Sequence, residues 1–304
     1  MIGGPFRLIA RMALAQAAPM TELGQKWMVF SSHHAPLWTT GRHIVIVYDL
    51  IALRFGEQAR MQNAFYRHLL PRVLRSATRI VTISGAVRDE LKTVFPFLAD
   101  RLIDVIPAWS ESLEVKECIS APVLSRKSHV LVVGARYPHK NLSLVLDAMS
   151  QFSRTGSGQR LVVAGIRKEL WNQRASWRIL EEQGLLTALD FPTDSEMDEL
   201  YRKAHCLVYP SLAEGQGLPP LEALKRGCPV VCSDIPVLKE TCGQASFFVD
   251  PHDSRALAGL LSEICTGQRK VEIEEMTCQA PEVLKRFSNG VLTRKWRALL
   301  DSLP

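Results

Sequence analysis

The sequence predicts an α/β protein with two doubly wound parallel-sheet domains, the first of them incomplete. Short β-branched runs alternate with helical patterns along nearly the whole chain, which is typical of parallel strands joined by crossover helices. A length of 304 residues is about twice that of a usual single domain, so two domains are expected. Apolar residues at 47% and charged residues at 22% are ordinary globular values and exclude disordered and fibrous classes.

Nine apolar runs are predicted strands, because strands buried on both faces need continuous apolar sequence. Four precede residue 110: KWMVFSS (26–32), RHIVIVYDL (42–50), RIVTIS (79–84) and LIDVIPA (102–108). Five follow residue 128: HVLVVGA (129–135), RLVVAG (160–165), TALDF (187–191), HCLVYP (205–210) and CPVVCSD (228–234). Ser84, at the end of the third run, is predicted to cap the helix that follows it.

A polar segment without periodicity, SESLEVKECISAPVLSRKS, separates the two groups of strands and is the predicted linker. We therefore expect a first domain over residues 1–110, a linker over 111–127 and a second domain over 128–280. A single terminal helix over 281–304 is expected to cross back to the first domain.

The cysteines and the apolar runs indicate a cytoplasmic protein. Seven cysteines without a C-x-x-C pair, several inside apolar runs, favour reduced buried thiols over a disulfide framework or a zinc site. No apolar run reaches the ~18 residues of a membrane-spanning helix. The opening MIGGPFRLIARMALAQAAPM is predicted to be a helix and not an export signal, because Arg7 and Arg11 interrupt its apolar part.

The net charge of +6 lies entirely in the first part of the chain. Up to Lys127 there are 16 Lys+Arg against 10 Asp+Glu, and the remainder holds 21 of each. Two interpretations stay open: a solvated basic face, or a surface that contacts anionic lipid headgroups or an anionic acceptor. Nucleic acid is not an expected partner, because the basic residues are scattered and lack an aromatic platform or zinc-finger spacing.

A candidate anion site follows the strand HVLVVGA. In RYPHKNLSLVLDAM, Arg136 and Lys140 bracket a short loop, and a helix is predicted to begin near Asn141, whose side chain can cap it. Cations beside a helix start favour negative charge, and a diphosphate fits that arrangement. The alternative is a pair of solvated surface cations. The G-x-x-x-x-G-K-[ST] pattern of a P-loop is absent.

A second candidate site lies in EGQGLPPLEAL, where Glu214 and Glu222 flank two glycines and a Pro-Pro step. Pro at a helix start and Gly227 at its end predict a helix with Glu222 in its first turn and Glu214 on the loop ahead of it. Gly215 and Gly217 allow a close backbone approach to a ligand. The pair can therefore hold two parts of one ligand, or Glu222 only complements the helix dipole while Glu214 is solvated.

These motifs together resemble the family 4 retaining glycosyltransferases of GT-B fold, which carry two glutamates separated by seven residues. The segment 191–253 and GARYPHKNL (134–142) carry most of the resemblance, and RHIVIVYDLIAL and IDVIPA are similar to the family's N-terminal domain. The resemblance covers roughly residues 28–300. It implies two Rossmann-like domains, the second of which binds most of a nucleotide-sugar donor.

The resemblance also implies a role for each motif residue. Arg136 and Lys140 would bind the diphosphate, Glu222 the ribose hydroxyls and Glu214 the hexose hydroxyls, so that Glu214, Arg136 and Lys140 form the implied catalytic set. Backbone amides around Gly217 and Leu218 would approach the phosphates. The implied donor-binding set is completed by Gly134, Ser211 and Gly215. No metal or other cofactor is implied, since the two cations and helix ends neutralise the leaving group.

The sequence departs from the family at several positions. Tyr48-Asp49 stands where relatives commonly have His-Asp, and either His33 or His34 of the SSHHAPLW loop is a candidate replacement. Gln216 stands where relatives often have Phe, and this change is expected to weaken an apolar contact. Phe191 is placed to flank the nucleobase.

The family's first strand, its glycine-rich loop and the next β/α pair have no counterpart. Two interpretations stay open: the chain is a natural short form, or, if one β/α unit takes ~30 residues, it lacks about 60 residues of the first domain. An incomplete parallel sheet exposes a strand edge, and self-association through this domain is therefore expected.

The implied function is transfer of a hexose from a nucleotide-diphosphate sugar to a polysaccharide or glycolipid acceptor, at the inner face of a membrane. GDP-mannose is the first expectation for the donor, ahead of UDP-sugars. The alternative from another class is a non-catalytic nucleotide-sugar-binding or scaffold protein with a decayed first domain.

Overall fold

A computed structural model describes residues 27–30, 42–55, 60–108, 128–153, 159–166 and 180–303. These residues form two compact units. Unit 1 contains the described residues up to Ala108, together with Glu214–Gln216 and those from Leu292 onward. Unit 2 contains the described residues of Trp109–Ala213 and Gly217–Val291. The opening 20 residues, His33, His34 and the predicted linker lie outside the described residues.

Unit 1 is built on a parallel four-stranded sheet with the order β1-β2-β3-β4. The strands are β1 Trp27–Phe30, β2 Arg42–Val47, β3 Arg79–Thr82 and β4 Ile103–Val105. In β2, five consecutive residues from His43 to Val47 are buried, which fits a strand with helices or loops over both faces.

The helices of unit 1 are α1 Ile51–Arg54, α2 Arg60–Ala64, α3 Leu70–Ser76 and α4 Gly85–Val94, with a π-helical turn at Phe65–Leu69 and a 3₁₀ turn at Pro96–Leu98. The predicted cap of α4 is confirmed, since Ser84 Oγ accepts the Val87 amide at 3.2 Å. One apolar cluster includes Val45, Leu74 and Ile80. A second includes Ile44, Ile46 and the C-terminal Leu299.

Unit 2 is built on a parallel six-stranded sheet with the order β10-β9-β8-β5-β6-β7. The strands are β5 His129–Val133, β6 Arg160–Ala164, β7 Leu186–Leu189, β8 Ala204–Tyr209, β9 Val230–Ser233 and β10 Phe247–Val249. The chain adds β6 and β7 on one side of β5, and then returns to add β8, β9 and β10 on the other side. The direction of winding therefore reverses between β5 and β8.

The helices of unit 2 are α5 Leu142–Ser153, α6 Asp194–Lys203, α7 Leu218–Lys225, α8 Pro236–Cys242, α9 Ser254–Cys265 and α10 Lys270–Lys285, and α11 Asn289–Asp301 continues into unit 1. Helix α6 begins with a reciprocal capping box between Thr193 and Glu196. The main core of unit 2 joins the sheet to α5 and α9 through residues such as Val130, Val145 and Leu257.

The predicted α/β class with two parallel sheets is confirmed, and all nine predicted strands are present. Strand β10 was not predicted, because its three residues are too few to show a pattern. The single terminal helix predicted over 281–304 is wrong. Helix α10 ends at Lys285 because the Phe287 and Ser288 amides bond to carbonyls three residues back, which tightens and ends the helix.

Four of the six cysteines in the described ranges are buried, as expected: Cys206, Cys228, Cys232 and Cys242. Among the described helices, none is long and apolar enough to cross a bilayer.

Candidate functional site

The candidate site of unit 2 lies where the winding of its sheet reverses. Arg136 and Lys140 follow β5, and Ser211 and Glu222 follow β8, its neighbour in the sheet. Ligands of open parallel sheets bind outside the carboxyl ends of the strands at such a reversal. The two motifs that were identified separately in the sequence are therefore on adjacent loops.

Hydrogen bonds fasten the loop after β5 to the loop after β8. The Leu212 amide donates to the His139 carbonyl at 2.7 Å. Asn141 has a left-handed backbone with φ of 54°, and α5 begins one residue later, as predicted. The Asn141 side-chain amide, expected to cap this helix, donates to the carbonyls of Pro210 at 3.2 Å and Pro251 at 2.8 Å. The loop geometry is thus fixed by the protein alone.

The loop after β5 begins at Gly134, whose φ of 77° favours glycine. The Gly134 amide donates to the Ala164 carbonyl, and its own carbonyl accepts the Arg136 amide. The Arg136 guanidinium lies 5.6 Å from the centroid of the Tyr137 ring, and Tyr137 stacks on His139 with the rings 10° from parallel. Two aromatic rings therefore support the loop that presents Arg136.

Lys140 is held by a buried tyrosine at the end of β8. Its ammonium donates to the Tyr209 hydroxyl at 2.8 Å, and the nitrogen lies 5.0 Å from the centroid of the same ring. Tyr209 is 1% exposed. This contact ties the Lys140 ammonium to the last residue of β8.

Ser211 carries a buried hydroxyl that is unsatisfied among the residues the structure describes. The residue is fully buried, and its Oγ has no hydrogen-bond partner in that part of the chain. A buried polar atom without a partner is costly, on the order of 1–3 kcal/mol. Ser211 lies two residues after β8, and its role as a ligand contact stays a prediction.

Helix α7 begins with few available amide donors. The first four amides of a helix lack intrahelical partners, and at α7 these four positions are Gly217, Leu218, Pro219 and Pro220. Proline has no N–H, so only Gly217 and Leu218 can donate to a ligand. Gly217 has φ of 95°, and a Cβ there would lie 2.7 Å from a methyl group of Leu238. The positive φ is what favours glycine at this position, since the Leu238 side chain could move aside.

Glu222 lies in the second turn of α7, and the prediction of its first turn is wrong because the helix begins at Leu218, ahead of both prolines. Its Oε2 accepts a hydrogen bond from the Tyr201 hydroxyl at 3.0 Å. Burial, and then the Glu222 charge, raise the pKa of Tyr201, so the hydroxyl stays protonated and donates. Arg226 donates to the Glu222 carbonyl at 2.9 Å and lies 5.1 Å from the Tyr201 ring.

Glu214 belongs to a loop, Glu214–Gln216, that is part of unit 1. The Gly215 carbonyl accepts a hydrogen bond from Ser84 Oγ at 2.8 Å. A Cβ at position 215 would collide with the Tyr48 carbonyl oxygen. The glycine at 215 is thus required by contact with the protein itself, whereas the sequence suggested contact with a ligand.

Gln216 contributes more than the sequence indicated. The residue is 4% exposed, its Oε1 accepts the Ala108 amide at 2.6 Å, and its Nε2 donates to the Ala108 carbonyl at 3.1 Å. The expectation that glutamine merely weakens an apolar contact is wrong, because its amide forms a two-point bridge to the backbone of Ala108.

Two further candidates in unit 1 follow β2. Tyr48 is half-buried, and its carbonyl packs against Gly215. Asp49 Oδ1 accepts the Ile51 amide at 3.0 Å and so helps to start α1. This bond gives Asp49 a structural role that does not depend on a ligand.

Phe191 is 73% exposed just after β7 and lines a cavity of about 460 Å³ in unit 2. Arg136, Lys140 and Glu222 do not line this cavity; its walls include His129, Arg160, Leu189 and Leu200. Its exposure leaves Phe191 able to stack on a base, but the structure does not group it with the charged residues. Within the described ranges, no cluster of three or more His, Cys, Asp or Glu side chains is arranged to hold a metal.

Two tyrosines that contact the candidate residues, Tyr201 and Tyr209, were not singled out from the sequence. Tyr209 was included only as part of the strand HCLVYP, and Tyr201 was assigned no role. Neither has a motif or spacing that distinguishes it from a core tyrosine, and only the fold brings their hydroxyls to Glu222 and Lys140.

The sequence of this chain matches a known protein family. The family described as "Glycosyl transferases group 1" matches residues 120–291. An O-antigen chain mannosyltransferase, RfbU of Salmonella typhimurium, is 26% identical over 90% of this chain and 70% of its own length. O-antigen chain mannosyltransferase B of Escherichia coli is 33% identical over 61% of this chain and 51% of its own length. The chain therefore spans about 70% of the first relative and half of the second.

Solved structures share the fold. Sucrose-phosphate synthase of Thermosynechococcus elongatus superposes with a TM-score of 0.70 at 17% identity, over 98% of this chain and 78% of that one. Anabaena Alr3699/HepE, solved in complex with UDP-glucose, superposes with a TM-score of 0.65 at 18% identity, over 86% of this chain and 72% of that one. The chain thus shares its fold with these two structures.

Proposed function

This chain belongs to the glycosyl transferases group 1 family, and from that premise we propose that it is a retaining glycosyltransferase of family 4 type. It moves a hexose from a nucleotide-diphosphate sugar to a glycan or lipid-linked acceptor. The observation that carries this proposal is the grouping of Lys140, Ser211 and Glu222 on the segments that follow β5 and β8, where the sheet reverses its winding.

Each charged residue of the donor site takes one part of the donor in this proposal. The diphosphate is bound by the side chains of Arg136 and Lys140 and by the backbone amides of Gly217 and Leu218. Glu222 accepts hydrogen bonds from the ribose hydroxyls, and Glu214 accepts them from the hexose hydroxyls. As the bond between the sugar C1 and the phosphate oxygen breaks, these cations stabilise the negative charge of the leaving diphosphate.

The transfer step takes place on one face of the sugar. The acceptor oxygen bonds to C1 while the acceptor proton passes to an oxygen of the departing phosphate, so no protein base is required. The two glutamates are therefore ligands of the donor and differ in role from the acid and nucleophile of a glycoside hydrolase.

Mannose is the proposed hexose and GDP-mannose the proposed donor, because the two relatives described above are named as mannosyltransferases. The UDP-glucose bound to the Anabaena protein supports the rival nucleotide. A thermal-shift screen against GDP-mannose, UDP-glucose and ADP-glucose tests this choice, because selective binding raises the midpoint of unfolding. We expect the largest shift with GDP-mannose. A larger shift with UDP-glucose would make UDP-glucose the proposed donor. No shift with any of the three nucleotide sugars would refute a donor site.

Unit 1 contains Tyr48, at the position where the resemblance implies a histidine that contacts the donor hexose. A tyrosine hydroxyl can donate one hydrogen bond but cannot carry the positive charge of an imidazolium. This difference favours the second candidate function, a nucleotide-sugar-binding protein without transfer. The two are separated by incubating the chain with the selected donor and a lipid-linked glycan, since binding without sugar release would support the second.

We predict that nucleotide binding and sugar transfer do not depend on a divalent metal. Arg136, Lys140 and the start of α7 already supply positive charge and N–H donors for the diphosphate. The affinity for the donor and the turnover are expected to be unchanged in EDTA, measured by calorimetry and by release of the nucleoside diphosphate. Loss of both in EDTA with recovery on addition of manganese would contradict this prediction.

We also propose that unit 1 contacts an anionic membrane surface at the inner face of the membrane. Val94, Phe97 and the 67% exposed Leu102 place apolar side chains on the surface, and the Arg75 guanidinium lies 4.2 Å from the Phe97 ring centroid. Apolar side chains next to cations favour the interface of an anionic bilayer. Co-sedimentation with phosphatidylglycerol vesicles should exceed that with phosphatidylcholine alone, and Leu102→Glu should reduce it. Equal binding to both vesicle types would contradict the proposal.

Self-association through the strand edges of the unit 1 sheet is the other partner interaction that we propose. Such edges present backbone groups that can pair with a second copy. Light scattering over a range of protein concentrations tests it, and a constant monomer mass would refute it.

A further inference from the structure

Two buried tyrosines stand directly behind two charged side chains of the proposed donor site. Tyr201, in α6, is fully buried and donates its hydroxyl proton to Glu222 Oε2 at 3.0 Å. Tyr209, at the end of β8, is 1% exposed and accepts a hydrogen bond from the Lys140 ammonium at 2.8 Å. Both rings are anchored in the core, so each hydroxyl offers a fixed point to a longer and more mobile side chain.

We propose that Tyr201 and Tyr209 are positioning residues that hold Glu222 for the ribose and Lys140 for the diphosphate. This inference rests on the proposed function and deepens it, because it assigns a separate support to each half of the nucleotide. Tyr201 acts on the sugar half through a carboxylate. Tyr209 acts on the phosphate half through an ammonium.

The chemistry of the two contacts is opposite. Glu222 as a carboxylate only accepts, so Tyr201 must donate; Lys140 as an ammonium only donates, so Tyr209 must accept. A carboxylate has about four acceptor positions, so one bond from Tyr201 can set its orientation while ribose hydroxyls use other positions. An ammonium has three protons, so the bond to Tyr209 is compatible with bonds to phosphate oxygens.

The surroundings of Tyr201 keep this contact in place. The Arg226 guanidinium lies over the Tyr201 ring at 5.1 Å and its Nη1 donates to the Glu222 backbone carbonyl at 2.9 Å. Arg226 Nε in turn donates to Asp198 Oδ1 at 2.9 Å, which returns the network to α6. Helices α6 and α7 are therefore linked by two side-chain hydrogen bonds, Tyr201 to Glu222 and Arg226 to Asp198.

The test compares two variants with two ligands. Tyr201→Phe and Tyr209→Phe each remove one oxygen and keep the ring, and the ligands are GDP and 2′,3′-dideoxy-GDP, or the UDP pair if the screen selects UDP. Tyr201→Phe should weaken GDP binding about three- to tenfold and leave the dideoxy ligand unchanged, because that ligand lacks the hydroxyls that Glu222 accepts. Tyr209→Phe should weaken both ligands by about the same factor, because both carry the diphosphate.

A second pair of variants distinguishes the effect of the lost hydrogen bond from an effect on packing. The same pair provides the test if a phenylalanine variant does not fold. Substitution by p-aminophenylalanine keeps the ring and a donor at the same position but supplies a poor acceptor. At position 201 it should restore the affinity for GDP, since Tyr201 donates. At position 209 it should not, since Tyr209 accepts.

The outcomes distinguish this inference from the proposed function. The expected pattern, loss confined to GDP at 201 and loss for both ligands at 209, supports both. The positioning role alone would be overturned by the following result: the wild type binds GDP, Glu222→Gln and Lys140→Ala weaken this binding, and all tyrosine variants bind like the wild type. Equal loss for both ligands at 201, or rescue by the amine at 209, would also overturn it. Absence of wild-type binding to GDP and UDP would overturn the proposed function and this inference with it.

Discussion

Replacing Lys140 by alanine is expected to weaken binding of the nucleoside diphosphate by about ten- to 150-fold, which corresponds to about 1.5–3 kcal/mol for a hydrogen bond to a charged group. The Lys140 ammonium lies at the carboxyl end of β8, next to the loop that leads to Ser211 and α7. A leaving diphosphate carries more negative charge than any other part of the donor, so loss of this cation should affect it most. Isothermal calorimetry with GDP, or UDP, measures the change.

Two control variants make this result specific. Lys140→Met keeps most of the aliphatic chain and removes only the charge, so it should lose as much affinity as the alanine variant. Lys285→Ala removes a lysine whose side chain is 70% exposed and paired with Glu282 at 3.7 Å, and affinity should not change. An unchanged affinity in both Lys140 variants would contradict the assignment of this lysine to the diphosphate.

The sheets could be predicted from the sequence because buried parallel strands consist of continuous apolar residues. His129–Val133 and Ala204–Tyr209 each carry four or more buried residues in a row, and such runs need no knowledge of their neighbours to be recognised. Strand β10 has only three residues, two of them half-buried, and local sequence does not distinguish it from a loop.

The candidate site could be predicted only in part, because its supports are distant in the chain. Arg136, Lys140, Glu214 and Glu222 were found from local motifs and a family resemblance. The bridge from Gln216 to Ala108 joins residues 108 positions apart, and the collision of any side chain at 215 with Tyr48 depends on the folded backbone. Such contacts have no local signature, since backbone carbonyls and amides are present at every residue.

The same reasoning explains why the two glutamates of one motif differ in what supports them. Glu222 is on a helix of unit 2 and receives a hydrogen bond from a side chain, Tyr201. Glu214 is on a loop of unit 1 whose backbone is fixed by Ser84 at the next residue and by Gln216 at the one after. In the first case the carboxylate itself is oriented, and in the second the peptide that carries it.

Replacing Glu214 by glutamine is therefore expected to separate binding of the sugar from binding of the nucleotide. Glutamine has the same shape, and the loop stays anchored through Gly215 and Gln216, so the backbone should not move. In the proposed site Glu214 accepts hydrogen bonds from hexose hydroxyls. Affinity for the nucleotide sugar should fall about ten- to 150-fold, while affinity for the bare nucleoside diphosphate stays within about a factor of two. Glu222→Gln is the matched control, and it should weaken both ligands because both carry the ribose. Calorimetry with GDP and GDP-mannose, or with UDP and UDP-glucose, decides the matter. If the Glu214 variant lost equal affinity for both members of the pair, this glutamate would not be the group that holds the hexose.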